Sequence, residues 1–351
     1  MGLMERMRKN STLQDRISVL QDSIYLNNND VVTTKVPAIN IAFSGSPFGG
    51  FSSGLTMIAG PSKHFKTAFG LLCMKSYMDK YEESICIFYD SEFGTPQSYF
   101  DTFEIDTSRV LHVPVTDLEE LKFDIMKQVK EISRDDRIFI MIDSVGNLAS
   151  KKEVDDAHAE KSAADMTRAK QFKSLFRMVT PHLTLNDIPM IVINHTYDTQ
   201  EMFSKQVVSG GKGAYYSSDN IWIVGRQQDK TGSDLTGYNF IINIEKSRYV
   251  KEKSKIPINV SFEDGLDRWS GLLDMAVDCG IIKRSGGWYN LIDLETGEII
   301  DKKFRGSTTN NIEFWKPILK SEKFLTYLSN RYCISSNKTI MTDDDYLFNI
   351  K

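Results

Sequence analysis

The chain has 351 residues, a formal net charge of −4, 41% hydrophobic and 26% charged residues, and four cysteines. That is enough for one large domain plus a smaller one, and an acidic balance leaves no uniform attraction for a polyanion, so any nucleic-acid site has to be local. No apolar run is long enough to span a bilayer, the charged residues 1–16 lack a signal peptide's apolar core, and Cys73, Cys86, Cys279 and Cys333 show no paired zinc or disulfide spacing; a cytoplasmic protein with reduced thiols and no membrane partner is expected.

Residues 1–30 carry Leu13, Ile17, Leu20 and Ile24 at helical spacing, a face too short to form a stable helix alone. Residues 55–60 then read as an apolar strand running into a turn made of Gly60, Pro61, Ser62, Lys63, His64, Phe65, Lys66 and Thr67, which opens an apolar helix. Backbone N–H groups at such a turn point at phosphate oxygens, Lys66 reaches the β/γ-phosphates, and the Thr67 hydroxyl ligates Mg²⁺. The usual pattern has a second glycine immediately before the lysine; Phe65 stands there.

Further strands follow at βαβ spacing. Residues 84–90 end in Asp90-Ser91-Glu92, and Thr95-Pro96 offers an N-cap and first-turn proline. Residues 109–115 form a third strand, and Asp117 with Glu120 makes a capping-box-like start to an amphipathic helix over 117–132. The apolar run 137–144 reads as a buried parallel strand that presents Asp143 and Ser144 at its carboxyl end. A lone Asp at a strand end is usually a cap or turn former. Lys66-Thr67, Glu92 and Asp143 all fall at carboxyl ends of neighbouring strands, however, where open α/β sheets bind ligands, and this shifts the reading to a nucleotide and Mg²⁺.

Two polar stretches are expected as loops at the same edge. Residues 151–162 begin with Lys151 and Lys152 ahead of an acidic run, before a helix over 163–179. Residues 197–213 follow a strand over 189–195 and combine Met202, Phe203, Lys205, Gly210, Gly211 and Lys212. Glycines, cations and an aromatic together suit a segment that orders around a DNA backbone and inserts an apolar side chain between bases; a plain surface loop is the alternative. Past Gly271, residues 272–277 read as a helix and Ser285-Gly286-Gly287 as a turn before Trp288-Tyr289, giving a small C-terminal α+β domain over 271–351.

Several of these stretches resemble the RecA-type recombinases, most closely the branch of T-even-like bacteriophages. They are residues 59–63, 88–94, 142–144, 146–153, 165–170, 193–196, 200–205 and 245–248, which together run through most of 31–275. The resemblance implies an α/β fold: a RecA-like P-loop ATPase core over 31–270 with a mainly parallel twisted sheet flanked by helices, and an N-terminal polymerisation arm over 1–30. That arm would pack on the adjacent protomer, and an interface of this heterologous kind builds a helical filament. A DNA-dependent ATPase is implied, which pairs single-stranded DNA in the filament with homologous duplex and exchanges strands, alongside mediator and single-strand-binding proteins.

Residue by residue, the resemblance makes Glu92 the group that activates the attacking water and Asp143 the carboxylate near Mg²⁺. His195 occupies the position where bacterial relatives carry a γ-phosphate-sensing glutamine. Lys246 and Arg248 match cations that reach a neighbour's ATP, with an exposed, solubilising charged run as the alternative. The stretches 151–162 and 197–213 match the two DNA-binding loops, Phe203 being the apolar residue of the second and Arg168 lying near the first; an ordinary helical pair of Arg168 with Asp165 is the alternative. Two rival functions share the fold, a hexameric replicative helicase or translocase and a DNA-binding filament regulator that uses ATP as a switch.

Overall fold

A computed structural model describes residues 2–25, 30–159, 167–199, 206–293 and 296–334. The chain forms two compact units, residues 1–31 and 32–351.

In the first unit, α1 (Leu3–Asn10) exposes Leu3, Met4 and Met7. The helical spacing of Leu13 to Ile24 is not realised as one helix, since only a 3₁₀ turn forms at Leu20–Asp22. The reason is local: Ser11 is extended and its Oγ accepts the Leu13 N–H at 3.0 Å, which stops the helix, and the remainder is too short to form a stable helix by itself.

The second unit runs α2 (Pro37–Ser44), β1 (Gly54–Ala59), α3 (Lys66–Lys80), β2 (Ile85–Asp90), α4 (Gln97–Thr102), β3 (Val110–Pro114), α5 (Leu118–Glu131), β4 (Ile138–Asp143), α6 (Lys151–His158), α7 (Thr167–Leu185) and β5 (Pro189–Asn194). It continues through β6 (Thr196–Asp198), β7 (Gln206–Val208), α8 (Gly211–Ser217), β8 (Asn220–Thr231), β9 (Asp234–Lys246), β10 (Lys255–Ser261) and β11 (Gly265–Leu266). The chain then forms α9 (Leu272–Asp278), β12 (Ile282–Ser285), β13 (Trp288–Ile292), β14 (Ile299–Arg305), α10 (Ile312–Lys320) and α11 (Glu322–Tyr332).

The main sheet has nine strands in the order β11-β10-β9-β8-β1-β5-β4-β2-β3. Pairing is parallel from β8 to β3 and antiparallel from β8 to β11. Strands β1, β4 and β5 are buried throughout, which explains why they are apolar apart from Thr56 and the strand-end Asp143 and Asn194. Alternation sends Ile58, Phe139, Met141, Ile191 and Ile193 to one face, with Phe69 and Trp222, and Leu55, Met57, Ile140, Ile142 and Val192 to the other, with Phe172 and Phe176. The segment after residue 270 carries its own three-stranded sheet, β12-β13-β14, while Leu272, Trp315 and Phe324 share the apolar cluster of Trp222 and Ile242.

Three local expectations change. The stretch from Lys151, expected as a loop, begins as α6: Ser150 Oγ accepts the Glu153 N–H at 3.1 Å and Lys152 pairs with Asp156 at 3.7 Å. Its acidic run is therefore a helix start favoured by the dipole. The stretch 197–213 is built from the β6–β7 hairpin and the start of α8, with residues 200–205 outside the described residues. Pro96, not Thr95, is the N-cap of α4, and no side chain caps that helix. The start expected for a helix at residue 163 lies outside the described residues, and α7 runs on to Leu185. The N-terminus of α5 matches: Asp117 accepts the Glu120 N–H at 2.8 Å, while Glu120 turns back to the Thr116 N–H at 2.8 Å.

Candidate nucleotide site

The turn between β1 and α3 has two residues in the left-handed region, Lys63 and Phe65, each with φ of 60°. For a residue with a Cβ this costs roughly 1–2 kcal/mol, which is why glycine is common there. Phe65 offsets the cost by packing: its ring stacks on Phe240 at 5.1 Å and meets Phe69 edge-on at 5.5 Å, and such pairs contribute about 0.5–1.5 kcal/mol each. Gly60 is required by proximity, since a Cβ there would lie 2.8 Å from the Val224 carbonyl oxygen.

The loop leads into the positive end of the fifteen-residue α3, an arrangement that attracts anions. Lys66 is only 6% exposed, its Nζ donates to the Pro61 carbonyl at 2.7 Å, and burial pushes its pKa down. An ammonium held inside its own loop has one strong acceptor to exchange for phosphate oxygens. Thr67 Oγ1 donates to Asp143 Oδ2 at 2.6 Å. One hydroxyl and one carboxylate are the donor set of a Mg²⁺ site completed by phosphate and water oxygens, so the residues fit that ion. A cavity of about 270 Å³ is lined by loop residues 62–67, Glu92, Tyr99, Asp143 and His195.

Register places Asp90 beside Asp143, and the next residues stitch β2 to β4: Ser91 N–H donates to the Asp143 carbonyl at 2.9 Å and Ser91 Oγ to the Ser144 carbonyl at 2.6 Å. Glu92 is thereby held over the loop. Its Oε1 meets His195 Nε2 at 2.8 Å, accepts from Asn147 Nδ2 at 3.2 Å, and accepts from the Ser144 hydroxyl. The His195 contact, followed by the Ser144 hydroxyl, lowers the Glu92 pKa to about 2. Asp143 moves the other way: burial, with the Glu92 and Asp90 charges, pushes it up to about 6 despite the Thr67 bond. The site thus pairs an ionised carboxylate with one that a nearby cation would ionise.

His195 also joins this site to the hairpin. Its carbonyl accepts the Ser209 N–H at 2.9 Å, and β6 begins at the next residue. Lys246 and Arg248 lie elsewhere. Lys246 Nζ donates to the carbonyls of Tyr215 at 2.8 Å and Ser218 at 2.7 Å, closing the C-terminus of α8, and burial lowers its pKa. Arg248, 70% exposed, pairs at 2.5 Å with Asp219, whose other oxygen accepts the Leu55 N–H at the start of β1. The phosphate loop leaves the opposite end of that strand, which at about 3.3 Å per residue is roughly 20 Å away.

Of the residues expected at DNA, Lys151 and Lys152 are exposed on the first turn of α6. Arg168 donates to the Leu148 carbonyl at 2.8 Å and the Gly146 carbonyl at 2.7 Å, clamping the segment after β4; Asp165 is outside the described residues. Met202, Phe203 and Lys205 are likewise outside them. Gly210 and Gly211 have φ of 95° and 68° at the start of α8, which carries Lys212. Asp90, Tyr99 and Asn147 join the site without having been singled out. Asp90 was legible as a strand-end carboxylate, whereas Tyr99 and Asn147 depend on how α4 and the segment after β4 fold back.

Comparison with known proteins bears on this geometry. A sequence profile described as the RecA N-terminal domain matches residues 11–267, and one described as the C-terminal domain of the bacteriophage T4 recombination and repair protein matches residues 269–328. The recombination and repair protein of Enterobacteria phage T4 is 49% identical over 340 residues, covering 95% of this chain and 87% of that protein. Protein RecA of Cutibacterium acnes is 27% identical over 296 residues, covering 81% of this chain and 80% of its own. The solved structure of RadB recombinase overlays with a TM-score of 0.46 at 18% identity, over 62% of this chain and 92% of that one.

Proposed function

Because the chain belongs to the RecA family of recombinases, in the branch of the T4 recombination and repair protein, we propose that it is a DNA-dependent ATPase that forms a helical filament on single-stranded DNA and exchanges strands with homologous duplex. Recombination, repair and recombination-dependent replication are the processes it would serve, with mediator and single-strand-binding proteins as partners.

The loop N–H groups and Lys66 hold the phosphates of ATP. Mg²⁺, held by Thr67 and Asp143, would neutralise charge on the β- and γ-oxygens. Glu92 orients the attacking water. With a pKa near 2 it is a weak base, which suits a loose phosphoryl-transfer transition state that asks more for positioning than for early proton removal. His195, Ser144 and Asn147 fix the carboxylate in place. Lys246 and Arg248 cannot reach the phosphates of their own protomer, and in a filament they would face a neighbour's γ-phosphate. The exposed apolar residues of 1–30 would supply the arm that joins copies, ahead of a core over 31–270 and a small domain over 271–351.

The observation that carries this reading is the 2.8 Å contact between His195 Nε2 and Glu92 Oε1, because His195 also opens the hairpin expected to meet DNA. One side chain thus links the water-activating group to the DNA segment, as a DNA-stimulated ATPase needs. The test is joint-molecule formation between a single-stranded circle and homologous linear duplex with ATP and Mg²⁺. Homology-dependent product that is absent in Lys66→Ala supports the recombinase. Hydrolysis without pairing, together with closed rings in electron micrographs, would favour a helicase instead.

A further inference from the structure

Asp90 is 4% exposed at the end of β2, yet nucleotide binding and hydrolysis give it no task of their own. Its Oδ1 accepts two backbone N–H groups, from Glu92 at 3.1 Å and from Phe93 at 2.8 Å. This is an Asx turn that bends the chain immediately after the strand. Phe93 completes it in the left-handed region with φ of 53°, a conformation a phenylalanine holds only when its surroundings impose it. The second oxygen, Oδ2, faces His112 Nε2 at 3.3 Å from the neighbouring strand β3. His112 is itself fixed on one side, its ring stacked on Phe88 at 5.7 Å. The Asp90 carbonyl accepts the Val115 N–H at 2.9 Å, tying the same residue to the end of β3.

We propose that Asp90, steadied by His112, is the positioning residue for Glu92: it sets the backbone turn from which that carboxylate reaches over the phosphate loop. The proposal rests on the reading of Glu92 as the group that orients the attacking water. Glu92 has side-chain partners at its tip, but these fix a carboxylate only if its Cα is already in place. Ser91 ties the preceding residue to β4, and Asp90 supplies the hydrogen bonds to the backbone N–H groups of Glu92 itself and of Phe93. Without them the turn would relax toward a more ordinary conformation at Phe93 and carry Glu92 with it. A displacement of about 1 Å at such a group lowers a chemical step by roughly 10²-fold while leaving ground-state binding of the nucleotide intact.

The experiment is steady-state ATP hydrolysis by the full chain on single-stranded DNA with Mg²⁺, with binding of a fluorescent ATP analogue measured in parallel. Asp90→Ala is expected to lower kcat about 10²-fold with KM and analogue affinity within about twofold of the parent. Asp90→Asn keeps the Oδ1 acceptor and is expected to restore kcat to within about fivefold. His112→Ala removes only the support on Oδ2 and is expected to lower kcat by about three- to tenfold. A kcat for Asp90→Ala within threefold of the parent overturns the proposal, as does a loss confined to KM and analogue affinity. Should Asp90→Ala fail to fold, Asp90→Ser decides with its shorter, weaker acceptor: an intermediate kcat supports the proposal and a parental one overturns it. Glu92→Ala is the control, since full activity there would remove the reading of Glu92 itself whatever Asp90 does.

Discussion

The ring of Phe65 lies stacked on that of Phe240, 5.1 Å between centroids and 18° between planes, so a strand two places from β1 in the sheet forms one wall of the phosphate loop. The loop is held open by aromatic packing at a position where glycine would have left it free.

Phe65→Ala keeps the left-handed backbone and removes both ring pairings, so it should lower stability by about 1–3 kcal/mol. Phe65→Gly removes the same pairings but relieves the backbone, and should be less destabilised than the alanine variant by about 1 kcal/mol. Thermal unfolding of the three proteins checks the order; a glycine variant equal to or below alanine would show that the backbone at residue 65 stores little.

Asp143 should release a proton when Mg²⁺ and nucleotide bind. Its pKa, raised to about 6 by burial, means that it is about half protonated at pH 6, and a cation beside it favours the ionised form. Calorimetric binding at pH 6 in buffers of different ionisation enthalpy should report a fraction of a proton released, and Asp143→Asn should remove it. The sign for stability is set as well. A carboxyl whose folded pKa lies above its usual value of 3.8 makes the nucleotide-free protein lose stability as pH rises from about 4 to 6.

Glu92 titrates in the opposite sense. Its pKa is depressed from 4.5 to about 2, so the stabilisation from its contacts with His195 and Ser144 is present above pH 4.5 and is lost as pH falls toward 2. Acid unfolding of Glu92→Gln should therefore show a shallower loss of stability than the parent across that window.

Lys246→Ala should act twice. It leaves the last carbonyls of α8 without their charged donor, which should cost about 1–2 kcal/mol in thermal unfolding, and it should abolish filament-dependent hydrolysis while leaving nucleotide affinity unchanged. Normal hydrolysis in a variant that is merely less stable would restrict Lys246 to capping.

Arg168 and the pair Lys151 and Lys152 should separate by salt. On single-stranded DNA, removing one cation that neutralises a phosphate lowers the slope of log K against log salt by about 0.7. Lys151→Ala with Lys152→Ala should flatten the slope. Arg168→Ala, whose guanidinium is taken by the Leu148 and Gly146 carbonyls, should leave it unchanged and instead slow hydrolysis by loosening the segment that carries Asn147.

The strands and the phosphate loop were legible because each is a local pattern: mainly apolar runs for β1, β4 and β5, and carboxylates where the β2 and β4 runs stop. Glu92 and Asp143 came together because parallel neighbours in register present their ends side by side. What escaped is set by longer-range geometry. Nothing adjacent to Lys246 in sequence reveals that its ammonium closes α8, thirty residues upstream, and nothing near Arg168 points to the carbonyls of Gly146 and Leu148. The α6 segment is hard to read for the opposite reason, since its charges hide a helix that has little apolar periodicity to show and is held by its serine cap.

Lys66 and Arg248 stand at opposite ends of β1, and this gives a row of such molecules a direction. If each phosphate loop is completed by the next copy, a row always holds one fewer finished site than it has members, and one terminus carries a loop that no neighbour completes. An isolated molecule would then be idle, a pair would run at half its nominal capacity, and only long rows would approach full output per chain. Specific activity should climb with row length and level off, so that dilution slows turnover before it removes nucleotide, and the two extremities of a row should age differently.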